Sequence, residues 1–153
     1  MATIYHQLSI NAPAGKVYEA ISTADGIGTW WDKQTAKQTD SGLVLEHNPG
    51  PEHGVVKLRV VELVPNKRVE WECISTHPKS SPASAWTGTH FIFEIAGGVD
   101  AGAASGAVRN QDLATTLEFR QVGYDEQSEF LGSNKVAWGQ VMQNLKRVVE
   151  SRG

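Results

Sequence analysis

Four side chains in the sequence could bind a metal ion if they converged. They are His47, His53, Cys73 and His77, and the three histidines lie in turn-rich segments. Zinc sites place their Cys and His ligands in closely spaced pairs, and the spacing of these four residues fits no such pattern. We therefore predict that the chain binds no metal ion.

Two carboxylates, Glu70 and Glu72, stand two positions apart and could share acid and base roles. However, Trp71 alternates with them, so the carboxylates are expected on the solvated face of a strand. The sequence contains no GxSxG, HExxH or phosphate-loop motif. The residues thus give no positive support for enzymatic chemistry, and we expect no cofactor.

A surplus of aromatic side chains is the strongest chemical signal, since five tryptophans occur among 153 residues. A cavity lined by such groups with one or two polar anchors is typical of small-molecule sites. The alternative is that the same rings simply fill a close-packed core. The predicted ligand-binding residues are Trp31, Trp71, Trp86, Phe91, Phe93, Phe119, Gln121, Trp138, Met142 and His6.

The polar members of this set are Gln121 and His6. A buried amide or imidazole needs hydrogen-bond partners, so either could orient a hydroxyl or carbonyl group of a ligand. The alternative is a bond to a neighbouring backbone group or to water, and His6 could also face solvent. Trp30 and Trp31 point about 100° apart on a helix. We expect one to pin a short helix to the core and Trp31 to line the mouth of a pocket.

Composition narrows the remaining classes of function. The net charge of −3 and pI near 5.9 give no basic field for nucleic acid. No run approaches the roughly eighteen apolar residues of a membrane helix. Cys73 has no partner cysteine, and no basic start precedes an apolar stretch, which predicts a cytoplasmic location. Without a composition break, we expect one domain over residues 1–153. No pattern indicates the oligomeric state.

The clearest structural element is a C-terminal helix. Apolar residues recur at helical spacing over residues 136–150, which predicts an amphipathic helix from about Ser128. Upstream, Asn11 and Thr23 are predicted to cap two short helices, the second ending at Trp30 and Trp31. Period-two alternation predicts strands over residues 3–10, 43–46, 55–63, 69–73, 90–95 and 115–122.

Residues 97–112 are rich in Gly and Ala and almost free of large apolar groups. Such a segment cannot offset the entropy of being ordered, so we predict a mobile hairpin tip. The order of elements is thus a strand, two short helices, a meander of about six strands and one long helix.

Four segments fall within this order of elements: NAPAGKVYEAI (11–21), DGIGTWW (25–31), WTGTHFIFEI (86–95) and TLEFRQVGY (116–124). Together they resemble the START-like or SRPBCC helix-grip proteins, within the branch homologous to the ATPase activator of heat-shock protein 90. The resemblance covers nearly the whole chain. It implies an α+β fold with an antiparallel sheet of about six or seven strands curved around the C-terminal helix, two short helices at one end, and an apolar cavity between.

Members of this superfamily bind lipids, sterols, polyketides or hormones, some are aromatase-cyclases, and the chaperone-linked branch contacts its partner by surface. The resemblance thus implies binding of a small hydrophobic or aromatic ligand, as a carrier or sensor. The alternatives are an enzyme of polyketide cyclase or dehydratase type and a co-chaperone-like interaction module. Relatives often carry His in a His-Ser-Gly-like run where this chain has Gln121, which removes an inward titratable group. Residues 97–112 are also longer than the usual tight hairpin.

Overall fold

The computed structural model describes residues 1–97 and 114–151, which form an α+β fold. Three helices occur in this part of the chain: α1 (Ala14–Ser22), α2 (Ala24–Ile27) and α3 (Leu131–Ser151), with a turn of 3-10 helix at Pro82–Ala85. The strands there are β1 (Ala2–Asn11), β2 (Thr35–Thr39), β3 (Gly42–His47), β4 (Val56–Val64), β5 (Arg68–Cys73), β6 (His90–Gly97) and β7 (Ala114–Tyr124).

These strands make one antiparallel sheet in the order β1-β7-β6-β5-β4-β3-β2. Strands β2 to β7 follow one another as a meander, and β1 adds to the far edge by pairing with β7. The curved sheet and the long helix α3, which lies against β1, confirm the predicted helix-grip fold. No helix within residues 1–97 or 114–151 is long and apolar enough to cross a membrane.

The first strand follows its predicted alternation, because Ile4, Leu8 and Ile10 are buried while their neighbours are exposed. It runs one residue further than predicted, through Asn11, whose backbone N–H donates to the Glu150 carboxylate at 2.8 Å. The prediction that Asn11 caps α1 is therefore wrong, since its backbone is held in β1 and Pro13 takes the cap position.

The second short helix begins as predicted, because the Thr23 hydroxyl oxygen accepts a hydrogen bond from the Gly26 N–H at 2.9 Å. It ends at Ile27, before the predicted end at Trp30 and Trp31. The two tryptophans follow in a turn, where the Trp31 N–H still bonds to the Ile27 carbonyl at 3.0 Å. Both rings are consequently placed at one end of the sheet.

Strand β2 was not predicted from the sequence. All five of its residues are exposed, so no apolar alternation marks it. It forms by pairing with β3, from Thr35 opposite Glu46 to Thr39 opposite Gly42. The long helix α3 starts later than expected, at Leu131, because a turn joining Asp125 and Ser128 precedes it. The mobile tip predicted for residues 97–112 lies outside the described residues, apart from Gly97.

A bulge in β4 changes the face on which its later residues lie. The register shifts between Val60 and Glu62, so Val61 is the extra residue and is 39% exposed. Glu62 is thereby placed opposite Glu70. The alternation predicted for this strand holds for Val56, which is buried, and is interrupted after Val60.

The side of the sheet that faces away from α3 carries a network of ion pairs. The Arg68 guanidinium lies 2.8 Å from both Glu62 and Glu70 and 2.6 Å from Glu94. Burial would raise the pKa of Glu70, but hydrogen bonds from Arg68 and His90, with their charges, bring that pKa below its usual value. The carboxylates predicted on this face are therefore engaged in the sheet's own ion pairs.

Candidate functional site

The space between the sheet and α3 is occupied by five aromatic side chains, which we call the inner aromatic cluster: Trp71, Phe91, Phe93, Phe119 and Trp138. Each of its rings is at most 2% exposed, and ring centroids lie 4.9 Å apart for Trp71 and Phe93 and 4.8 Å apart for Phe119 and Trp138. A side chain without accessible surface has no water-sized void beside it. The apolar cavity expected at this place is thus filled by the rings themselves. Met142 is buried together with this cluster.

Gln121 is fully buried beside this cluster, and its amide is used by protein groups. The amide nitrogen donates to the Thr89 hydroxyl at 2.9 Å, and the amide oxygen accepts from the Tyr124 hydroxyl at 3.0 Å. Burial raises the pKa of Tyr124 far above its usual value, so this hydroxyl stays a donor. The alternative of a satisfied amide therefore fits the structure, with side-chain partners in place of backbone or water.

His6 is partly buried where β1 meets α3. Its Nε2 lies 2.9 Å from the Lys135 carbonyl oxygen, to which it donates. The ring also fills the space beside Gly139, where an added Cβ would lie 3.1 Å from the His6 Cε1 atom. His6 thus bonds to backbone, which was the alternative considered from the sequence. A ligand-binding role for His6 or Gln121 stays a prediction.

A solvent-open cavity of about 190 Å³ lies at one end of the sheet, and we call it the mouth pocket. The turn after α2, the end of β3, the loop before β4 and the 3-10 turn supply its walls. Trp31 and Trp86 are the two predicted ligand-binding residues found among them. The lining residues are Trp31, Asp32, His47, Pro49, His53, Val56, Pro82, Ala83 and Trp86.

The two consecutive tryptophans lie in a turn and not on a helix, and they differ in burial. Trp30 is 2% exposed, and its indole N–H donates to the Ala20 carbonyl at 2.7 Å, which ties the turn to α1. Trp31 is partly exposed, with ring centroids 5.0 Å from Trp138 and 6.1 Å from Trp86. Trp31 therefore joins the inner aromatic cluster to the wall of the mouth pocket.

His47 is the most buried polar side chain of the pocket wall, with 2% exposure. The Gln34 amide nitrogen donates to the Asp32 carbonyl at 2.8 Å, which turns its oxygen toward His47 Nδ1 at 3.0 Å. Nδ1 must then carry the proton, because an amide oxygen only accepts. Burial lowers the pKa of His47, against the opposing charge of Asp32, so the ring is neutral near pH 7.

We expect stability to fall as the pH drops below about 6.5, the ordinary pKa of a histidine. Unfolded His47 gains a proton there while folded His47 stays neutral, so the unfolded state binds more protons. Urea unfolding at about pH 7.5 and about pH 5.5 measures this loss, which is at most about 1.4 kcal/mol per pH unit for one proton. The His47→Gln variant should show a shallower dependence, and an unchanged slope would contradict the prediction.

Two of the histidines considered as metal ligands, His53 and His77, are joined through serines and a carbonyl. His53 Nδ1 lies 2.6 Å from the Ser81 hydroxyl, and His77 lies 2.6 Å from the His53 carbonyl and 2.8 Å from the Ser75 hydroxyl. Burial raises the pKa of the Cys73 thiol, which keeps it protonated. In the described ranges, no three His, Cys, Asp or Glu residues are placed to hold a metal ion.

Sequence reasoning did not assign three polar residues of the mouth pocket, Asp32, His47 and His53, to a ligand-binding site. Asp32 directly follows Trp31, and this adjacency was the available signal. His47 and His53 flank a segment rich in Pro and Gly, and such loops often carry binding residues. Their convergence depends on how the loop folds back over the sheet, which local periodicity does not report.

The structure is similar to the solution structure of the Aha1 dimer from Colwellia psychrerythraea, with 24% identity, a TM-score of 0.73 and coverage of 98% of this chain and 97% of that one. Protein MLL2253 from Mesorhizobium loti is 19% identical with a TM-score of 0.72 and 99% of both chains covered. CalU16 from Micromonospora echinospora is 14% identical with a TM-score of 0.65 and 96% and 75% covered.

At these identities the structural matches establish the fold. Among curated proteins, none is significantly similar in sequence to this chain. The family model described as activator of Hsp90 ATPase homolog 1-like protein matches residues 11–150, which is most of the sequence. The chain therefore belongs to the family of activator of Hsp90 ATPase homolog 1-like proteins.

Proposed function

We propose that the protein binds a small aromatic ligand in the mouth pocket, as a carrier or sensor. The observation that carries this proposal is that Trp31 and Trp86, both partly exposed, line the same 190 Å³ opening. Indole faces give a ligand ring a large contact area at little entropic cost. The fold is one that suits ligand-binding modules, and the site lies at its open end, outside the filled centre.

The size of the mouth pocket limits the ligand. A cavity on the order of 150 Å³ holds one benzene ring, and the pocket measures about 190 Å³. One substituted ring therefore fits, whereas the long chain folded by a polyketide cyclase would extend into solvent. For this reason we favour binding of a one-ring compound over the cyclase alternative.

Replacing Trp86 by alanine is expected to weaken binding of one-ring aromatics by about tenfold or more, because an aromatic wall and its buried area are lost. Titration calorimetry with toluene, phenol and aniline measures the affinity. The control is Tyr5→Ala, which removes a 45% exposed ring on another part of the molecule and should leave binding unchanged. Equal affinity in wild type and Trp86→Ala would remove the mouth pocket as the site.

A second candidate function is contact with a protein partner. It is supported by the family description and by the relative solved as an Aha1 dimer. Val61 and Leu63 expose about 40% of their surface beside the β4 bulge, and Val136 is 64% exposed on α3. Light scattering would reveal a mass above 16.6 kDa if copies associate. An ATPase assay with purified Hsp90, with and without this protein, tests the chaperone role.

A further inference from the structure

We infer that the mouth pocket selects aromatic compounds that carry an O–H or N–H donor, which bonds between His47 Nε2 and the Asp32 carboxylate. This inference rests on the proposed function and names the class of ligand. Two groups of the pocket wall, His47 Nε2 and the Asp32 carboxylate, can accept a hydrogen bond from a ligand.

His47 presents one ring nitrogen, Nε2, to the mouth pocket. Because Nδ1–H donates to Gln34, the neutral ring presents an unprotonated Nε2, which can only accept. Asp32 Oδ2 lies 3.6 Å from Nε2 and is also an acceptor. Two acceptors therefore lie side by side at the pocket wall.

His47 Nε2 can be reached from the open pocket, since among the described residues Trp86 Nε1 is the buried side-chain polar atom without a partner. A ligand donor there exchanges a hydrogen bond to water for one beside two indole rings, where the lower local dielectric strengthens it. Protonation of His47 would also place a donor between Nε2 and the Asp32 carboxylate, but burial and the nearby His77 both oppose the charged form. A ligand hydroxyl or amino group donates a hydrogen bond to Nε2 without charging the ring.

The aromatic walls of the pocket stand beside these acceptors. The ring centroids of Trp31 and His47 lie 4.6 Å apart at an interplanar angle of 66°, so the indole stands directly beside the imidazole. Trp31 in turn lies 6.1 Å from Trp86. A ligand ring packed on these indoles has its edge at the His47 and Asp32 end of the pocket, where a single donor substituent reaches both acceptors.

The test compares three compounds of nearly equal size. Phenol and aniline carry a donor, and toluene replaces it with a methyl group. We expect phenol, aniline or both to bind about tenfold or more tightly than toluene, since their donor bonds to the neutral His47 imidazole and to the Asp32 carboxylate. Titration calorimetry gives the affinities, and shifts of the Trp31 and Trp86 indole N–H signals in NMR spectra locate the compounds.

Variants then assign the preference to the acceptors. Asp32→Ala, at a half-exposed side chain, and His47→Leu should each bring phenol and aniline to within about twofold of toluene. Asp40→Ala removes an exposed carboxylate in the turn between β2 and β3 and should keep the preference. If the Asp32 and His47 variants both keep it, the inference is overturned.

The outcomes separate the inference from the proposed function. Toluene binding in the mouth pocket as tightly as phenol and aniline would overturn the donor preference and leave aromatic binding standing. If none of the three compounds shifted the Trp31 or Trp86 signals, the proposed function would fail and the inference with it. A preference that depends on Asp32 or His47 supports both.

Discussion

Replacing Trp138 by alanine is expected to lower the free energy of unfolding by about 3–5 kcal/mol. Trp138 is 2% exposed and is the ring that α3 contributes to the inner aromatic cluster. Its centroid lies 4.8 Å from Phe119, 5.0 Å from Trp31 and 5.4 Å from Phe91. Removing it leaves a cavity that three separate elements cannot collapse to fill.

Urea unfolding of the purified protein measures this loss. The matched control is Val136→Ala, two residues away on the same helix, where the side chain is 64% exposed. This control should change stability by less than about 0.5 kcal/mol. A loss below about 1 kcal/mol for Trp138→Ala would show that the rings are loosely packed around a void, contrary to the filled centre described above.

Gly26→Ala is expected to destabilise the protein by about 1–3 kcal/mol or more. A Cβ at Gly26 would lie far closer to the Glu19 carbonyl oxygen than van der Waals contact allows, and 3.0 Å from the Ala20 Cα atom. Both are backbone atoms of α1, so the clash cannot be relieved by a rotamer change. The variant must push α1 and α2 apart, and it would thereby displace the turn that carries Trp31.

The control for Gly26→Ala is Gly132→Ala, because Gly132 is exposed in the first turn of α3 and a Cβ there meets no atom within 4 Å. Alanine loses less backbone entropy than glycine in a helix, so this variant should gain about 0.5–1 kcal/mol. Thermal unfolding of both variants measures the difference. Similar melting temperatures would contradict the assigned close contact between α1 and α2.

Most of the fold could be predicted because its elements carry strong periodicity. Buried residues of β1 and of α3 repeat at the spacings of a strand and a helix, and the Thr23 cap has its usual side chain. Strand β2 escaped prediction because both of its faces are exposed. Asn11 was assigned to the wrong element because a residue suited to a helix cap can equally end a strand.

The candidate site was harder to predict for a physical reason. Alternation correctly turned Trp71, Phe93 and Phe119 toward the interior, but periodicity reports direction and not the volume left between rings. Whether inward rings fill a core or line a cavity depends on their summed volume against the curvature of the sheet. The mouth pocket depends on His47, whose bond to Gln34 joins a strand end to a preceding loop.

The bond between Asn11 and Glu150 has a consequence for how copies of the protein can associate. Edge strands invite strand addition, and β1 is an edge of the sheet. Its Ser9 carbonyl accepts from Lys146 at 2.7 Å, and its Asn11 N–H donates to Glu150, so side chains of α3 occupy backbone groups that another strand would need. The other edge, β2, is short and carries Lys37, which also discourages pairing. Continuous extension of the sheet from molecule to molecule is thereby disfavoured at both edges, and the sheet's outer face and the exposed side of α3 are the better surfaces for assembly.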